Sequence, residues 1–295
     1  MSAVDNIVAQ VLALQVRLYQ AMARLEARTD PEALHDLRIA VRRIRSLTHP
    51  FRTLPDVVTL TDAAMAVGAL TTPVRDLEVM IQELKTRGFY PQAQIRETRL
   101  ESHYCNIMNS AAMATLLKQL DDWPAAFRKV EVEKGSRWLT NKIKITLAKQ
   151  LERFRAALDE DGFDRHQLRA MVKRIRYLTE AFPQFSPLSP EAAGALKSVQ
   201  TALGDWHDQY QWCQKALVEA DLRPLYKTWL KGSSAALKAA EVQLVALSDL
   251  LPESRPCSQA DTQRQISRSF LSTTLAAPEY DPDQTHEKAR SIARI

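Results

Sequence analysis

His35–Phe51 reads HDLRIAVRRIRSLTHPF, and His166–Phe182 reads HQLRAMVKRIRYLTEAF, with a constant offset of 131 residues. His35, Leu37, Arg38, Val41, Arg43, Ile44, Arg45, Leu47, Thr48 and Phe51 all recur, and Lys173 keeps the charge of Arg42. A match of that density implies an internal duplication. At about 100° per residue, Arg38, Arg42, Arg45 and His49 fall within about 60° of one another. Leu37, Val41, Ile44, Leu47 and Phe51 fall on the opposite side. The second copy repeats the separation, with His166, Arg169, Lys173 and Arg176 against Leu168, Val172, Ile175, Leu178 and Phe182. Each stretch therefore reads as a helix with an apolar stripe for the core and a narrow basic stripe. Arg43 and Arg174 lie off that stripe and flank it.

Like charges three or four residues apart cost a few tenths of a kcal/mol per pair. Two helices repeat that cost instead of interleaving glutamates, which points to anion binding rather than a merely solvated face or internal ion pairs. Arginine supplies a planar fork of donors that matches phosphate oxygens, and lysine a mobile point charge. Histidine adds charge at mildly acidic pH, so His35 and His166 would strengthen the grip there.

Outward from these stretches, the pattern predicts further helices at residues 4–28, 60–87, 92–120, 136–159, 190–220 and 222–250. Pro50 and Pro55 stop the first motif helix, and Pro73 marks a break or kink in the next. The phase of Arg17, Arg24 and Arg28, of Arg96 and Arg99, of Lys142, Lys149 and Arg153, and of Lys227 and Lys231 could widen a basic trough. An ordinary charged surface explains each of these sets as well.

Composition agrees with a helical protein. Glycine occurs seven times in 295 residues, against a usual frequency of about 7%, and nucleotide-binding α/β folds and sandwiches need more of it in loops. Cys105, Cys213 and Cys257 are scattered, so no disulfide framework or close metal-ligand pair is expected. No uninterrupted 18-residue apolar segment or basic leader is seen, and the expectation is a cytoplasmic protein with no membrane span. Forty Lys and Arg against 35 Asp and Glu give only +5. Residues 128–155, however, hold nine basic residues against three acids. Concentrated positive charge says more than the total.

The paired motifs, His35-x-x-Arg38-x-x-x-Arg42-Arg43-x-Arg45 and His166-x-x-Arg169-x-x-x-Lys173-Arg174-x-Arg176-Tyr177, resemble those of the CHAD family, the conserved histidine α-helical domain. The resemblance spans roughly residues 5–250. It implies an all-α fold: a duplicated pair of four-helix bundles with pseudo-twofold symmetry, taken here as 1–125 and 126–255, with residues 256–295 an extension. It further implies that the ten histidine, arginine and lysine residues of these motifs bind inorganic polyphosphate on a shared basic surface or channel, with association to polyphosphate granules. The family tends to place an Arg-Asp pair near the start of each half's third helix. Arg75-Asp76 fits, and His207-Asp208 stands in the second half. Some family members carry a CYTH triphosphatase domain, whose acidic metal site is not matched in this sequence.

No catalytic residue, metal or cofactor is expected. The chain contains no GxxxxGK[ST] loop and no HExxH, and Asp205 and Asp208 beside His207 do not make a two-metal site. A metal-dependent phosphohydrolase, a protein-interaction scaffold and a nucleic-acid binder remain as alternatives. The last would share the salt sensitivity of phosphate contacts, but no zinc finger or strand-borne stacking motif accompanies the charge. The five tryptophans read as packing groups. In the extension, Gln265–Leu275 has the periodicity of a short docking helix. It could cover a bundle, mediate oligomerisation or move freely.

Overall fold

A computed structural model describes residues 3–160 and 163–252, and the extension with its proposed docking helix lies outside them. Among the described residues the regular structure is helical: α1 (Ala3–Ala27), α2 (Ala33–Thr48), α3 (Pro55–Thr86), α4 (Tyr90–Met108), α5 (Ala111–Lys134), α6 (Ser136–Asp159), α7 (Arg165–Ala181), α8 (Pro190–Val218) and α9 (Tyr226–Leu250). Short 3-10 turns follow α2 and α7 and lead into α9. The motif stretches are α2 and α7, as their periodicity required.

Three local features depart from the expectations. Residues 92–120 are not one helix: α4 ends at Met108, and the Ser110 hydroxyl accepts a hydrogen bond from the Met113 N–H at 3.1 Å, capping a new helix. A serine cap of this kind satisfies an end donor that would otherwise be orphaned. Pro73 does not break α3, which runs unbroken from Pro55 to Thr86. The carbonyl deprived of its partner belongs to Ala69, and Ala69 and Pro73 both face solvent, where water can take the bond. Pro124 likewise lies inside α5, so the 125/126 boundary falls within a helix; the turn to α6 comes at Gly135, whose φ of 78° suits glycine.

Two cores share the interior with a third cluster. Apolar faces of α1, α2, α3 and α5 meet around Leu18, Ile44, Phe51, Leu60 and Phe127, joined by Leu139 and Ile143 of α6, by Leu178 of α7 and by Phe182 just beyond it. A second core takes Phe154 of α6, Val172 and Ile175 of α7, Val199 and Leu203 of α8 and Leu247 of α9. The third gathers Met80 and Leu84 of α3, Ala93 of α4, Cys213 and Ala216 of α8 and Trp229 of α9. Trp229 Nε1 also donates to Glu83 Oε1 at 2.9 Å. The first and second halves are thus joined by buried contacts as well as by chain connectivity.

α3 is apolar and long enough to cross a bilayer by those two measures, with a mean hydropathy of 1.4 over its best 18-residue window. This differs from the sequence reading, which found no such segment. Packing explains the composition: α3 lies against α2, α4 and α5 at once.

Candidate functional site

The bases of the two motif helices are built alike. Asp30 Oδ1 accepts the Glu32 N–H at 2.8 Å before α2, and Asp164 Oδ1 accepts the His166 N–H at 2.9 Å at the start of α7. Arg24 of α1 ties down both Asp30 and Asp36. That removes the nearest acids from the basic stripe and spends Arg24 in doing so.

α2 and α7 pack against each other, and their basic stripes share one seam. Arg38 is half-buried, and its Nη1 donates to Thr71 Oγ1 at 2.7 Å, Thr72 Oγ1 at 3.1 Å and the Gly68 carbonyl at 3.2 Å. One nitrogen is anchored on α3; among the described residues the rest of the fork has no partner. Arg42 donates to the hydroxyl of Tyr177 across the seam, with its guanidinium carbon 4.9 Å from the ring centre. Tyr177 receives Arg176 on its ring as well, at 5.0 Å, while Arg176 Nε pairs with Glu180 at 2.7 Å.

The second helix is less committed. Arg169 is half-buried, and its Nε is buried with no hydrogen-bond partner among the described residues. Lys173 is half-buried too, and no carboxylate of the described residues lies within ion-pair distance of it. Burial, then Arg169 and Arg42, pushes its ammonium down to about 7, with Asp208 opposing and Arg38 adding to the effect. Burial lowers Arg169 and Arg38 as well. A bound polyanion would reverse these penalties by supplying the missing negative charge.

Two aspartates face this cluster from α3 and α8. Burial raises Asp76 above the usual carboxylate range, Arg38 pulls it back and Asp208 pushes it further up. Asp76 keeps much of its surface open, so its loss of hydration is partial. The Arg75-Asp76 and His207-Asp208 pairs lie past the midpoints of α3 and α8, not near their starts. That places them beside the middle of the seam. Arg75 bonds Glu78 at 2.8 Å, and His35, lowered by burial and then by Arg75, sits near it.

A second basic cluster occupies the far end of α2. His49 is pushed down to about 4 by burial and then by Arg52, Arg174, Arg45 and Arg153. From His35 to His49 the helix rises about 21 Å, so the two clusters form an extended track. Gly68 opens space beside it: a side chain there would begin 3.6 Å from Arg45 Nη1.

Of the outlying candidates, Arg75 and Arg153 join the track, and the others do not. Arg96 is a correction to the sequence reading. It is 6% exposed and binds Glu219 and Asp221, holding α4 to the turn before α9. Arg24 is paired as described, and Arg28 with Glu101. Arg99 stands near Asp221. Arg17 and Arg43 line a cavity of about 310 Å³ between α1, α2 and α7. Lys227 and Lys231 line a separate cleft with Arg87. Lys142 covers the Trp138 ring at 5.4 Å, and Lys149 is exposed on α6.

Sequence reasoning missed the part played by Tyr177, Arg52 and Trp206. Tyr177 replaces Ser46 of the first copy, a substitution visible in the alignment of the two motifs. Trp206 lies with its ring centre 4.7 Å from that of His166, and His207 and Tyr210 complete an aromatic group around that histidine. Among the described residues no group of three or more His, Cys, Asp or Glu side chains could hold a metal.

The model of the CHAD domain family matches residues 10–217. The fold is similar to the crystal structure of the CHAD domain from the plant Ricinus communis, with a TM-score of 0.64, 20% identity, and coverage of 85% of this chain and 93% of that one. It is also similar to PptA from Streptomyces chartreusis, with a TM-score of 0.52, 16% identity, and coverage of 82% and 99%. No curated protein matches the chain.

Proposed function

The chain belongs to the CHAD domain family, and from that premise we propose that it binds inorganic polyphosphate without hydrolysing it. The observation that carries the reading is the seam between α2 and α7. It gathers Arg38, Arg42, Arg169 and Lys173, so that the charge of Arg42 weighs on Arg38, Arg169 and Lys173, and those of Arg169 and Arg38 weigh on Lys173. Such a cluster is costly when empty, and a chain of phosphates relieves the cost along its whole length. A single carboxylate or phosphate would neutralise one part of it.

In this reading the chain consists of two four-helix sets with pseudo-twofold symmetry, α1–α3 with α5, and α6–α9, each presenting one basic helix to the shared track. Inorganic polyphosphate lies along His35, Arg38, Arg42 and Arg45 on one side and His166, Arg169, Lys173 and Arg176 on the other. Arg43 and Arg174 flank it. Attraction alone does not transfer a phosphoryl group, which needs an oriented nucleophile and stabilisation of the reacting phosphate. Binding without turnover suits recruitment to cytoplasmic polyphosphate granules.

The test is calorimetry with pyrophosphate, polyphosphates of defined length and single-stranded RNA. Affinity per molecule should climb with polyphosphate length, because each further contact forms at high effective concentration. RNA binding of equal strength would favour the nucleic-acid alternative. Phosphate release with Mg²⁺ or Mn²⁺ that tracks homogeneous protein, and is lost on substituting Asp205 or Asp208, would overturn the binding-only reading.

A further inference from the structure

α1, α2 and α7 leave between them a cavity of about 310 Å³. Ala13 and Leu14 of α1, Leu47 of α2, and Tyr177 and Ala181 of α7 give it apolar walls. A second cavity, of about 250 Å³, shares Leu14 and Arg17 with the first and reaches on between α1 and the start of α2. The acids that meet these hollows are already neutralised: Glu180 pairs with Arg176 at 2.7 Å, and Asp36 with Arg24 at 2.6 Å. Two cations are left over. Arg17 and Arg43 are exposed and open on the first cavity, and among the described residues neither has an ion-pair partner.

We propose that this cavity is a second binding site, for a compact organic carboxylate whose apolar body fills the hollow while its head pairs with Arg17 and Arg43. Guanidinium forks match a carboxylate with two parallel hydrogen bonds. The hydrocarbon body gains by leaving water for Leu14, Leu47 and the Tyr177 ring. Inorganic polyphosphate has no apolar part and gains nothing from those walls, so the ligand chemistry differs from that of the seam. A purely apolar molecule, in turn, would leave both arginines without a counter-charge.

Size narrows the class. A volume of about 310 Å³ stands at the small end of ordinary ligand sites, which suits one or two rings or a short chain. The place in the fold gives the site a consequence. Tyr177 is at once a wall of the cavity and the side chain whose hydroxyl accepts the Arg42 hydrogen bond across the seam. An occupant therefore bears on the residue that joins α2 to α7, and any effect on the seam ligand is matched by an equal effect in return. That coupling rests on the proposed function; the site itself does not.

The experiment is a ligand-observed NMR titration of the full-length protein with 2-naphthoate and with 2-naphthamide, its uncharged counterpart. The naphthoate should bind with a dissociation constant below about 1 mM, as expected for a ligand of its size. The amide should bind at least about tenfold more weakly, because the charged hydrogen bonds are lost. Arg17→Gln should weaken the naphthoate about tenfold, and Ala13→Phe, which puts a ring into the cavity, should remove binding. No binding of the naphthoate, equal affinity for both compounds, or an affinity unchanged in both variants would overturn the proposal. If circular dichroism shows Ala13→Phe unfolded, Arg17→Gln decides, since its loss strands no acid of the described residues; unchanged affinity there overturns the site. A wild type that binds the naphthoate but not polyphosphate would keep this site and remove the proposed function.

Discussion

α2 and α7 carry nearly the same motif but use it differently. In α2, Arg38 is fastened to Thr71, Thr72 and the Gly68 carbonyl, and Arg42 to Tyr177. In α7, Arg169 has a buried Nε without a partner, and Lys173 has no carboxylate at ion-pair distance among the described residues. The cause lies in the helices behind them. Thr72 and Thr71 stand four and five residues before Asp76, but the same steps before Asp208 reach Gly204 and Leu203. Without hydroxyls at those two positions of α8, Arg169 and Lys173 lack the anchor that Arg38 has. A repeated motif therefore repeats its charge and not its bonding. The first copy acts as a positioned frame and the second as the adjustable, pH-responsive part.

Removing both copies should have the largest effect. Replacing Arg38, Arg42 and Arg45 together with Arg169, Lys173 and Arg176 by glutamine should weaken long-polyphosphate binding by at least about 10³-fold. Charged hydrogen bonds contribute about 1.5–3 kcal/mol each, and the salt dependence should flatten with them. Either triple alone should cost about half of that free energy, at least about 30-fold. Circular dichroism must show the helices intact in each variant. If only the α2 triple matters, the comparison between the copies fails.

The copies should next separate by pH. Binding an anion favours charged Lys173, so polyphosphate affinity should fall as pH rises through about 7. Lys173→Arg should remove that slope and keep the affinity at pH 6. Folding has the opposite sign. The ammonium is depressed on folding, so the unfolded chain binds more protons between about pH 7 and the ordinary lysine value. This group's contribution to stability therefore rises with pH across that window, and below it the full burial penalty remains. Chemical denaturation from pH 6.5 to 9.5, compared between wild type and Lys173→Met, isolates this contribution. A wild-type stability that falls relative to the variant over that range would contradict the sign.

Untying the first copy should cost less. Thr71→Val with Thr72→Val removes two acceptors from Arg38 and should weaken binding about fivefold, near the 1 kcal/mol of an ordinary hydrogen bond. The converse substitution, Gly204→Thr, should give Arg169 a partner and lessen the difference between the copies. Tyr177→Phe should have the smallest effect, about threefold or less on binding, because the ring still carries Arg42 and Arg176 when the hydroxyl is gone. Titration calorimetry at one ionic strength ranks all three.

Much of this architecture was legible in the chain. The 131-residue offset located α2 and α7, and the apolar stripes placed Ile44, Phe51, Val172 and Phe182 in the interior, where they lie. α6 ran as read, from Ser136 to Asp159. The α4–α5 break was missed because Asn109-Ser110 interrupts the pattern without a proline or glycine, and only the cap geometry reveals it. Pro73 was over-read because a solvent-facing proline can be tolerated within a helix. For the site, a helical wheel gives the direction of each basic stripe but not which stripes meet. The seam, its crossing by Tyr177 and the removal of Arg96 into an ion triad come from tertiary packing, which no spacing along one helix encodes.

The central claim is that two unequal copies hold one extended polyanion. Its most direct test is calorimetry of the wild type and the double-triple variant against pyrophosphate and long-chain polyphosphate at equal salt. The wild type should bind one long chain at least about 100-fold more tightly than pyrophosphate, by multivalency, and the variant should lose this difference. Equal affinity of the wild type for pyrophosphate and the long chain, or an undiminished difference in the folded variant, would contradict it.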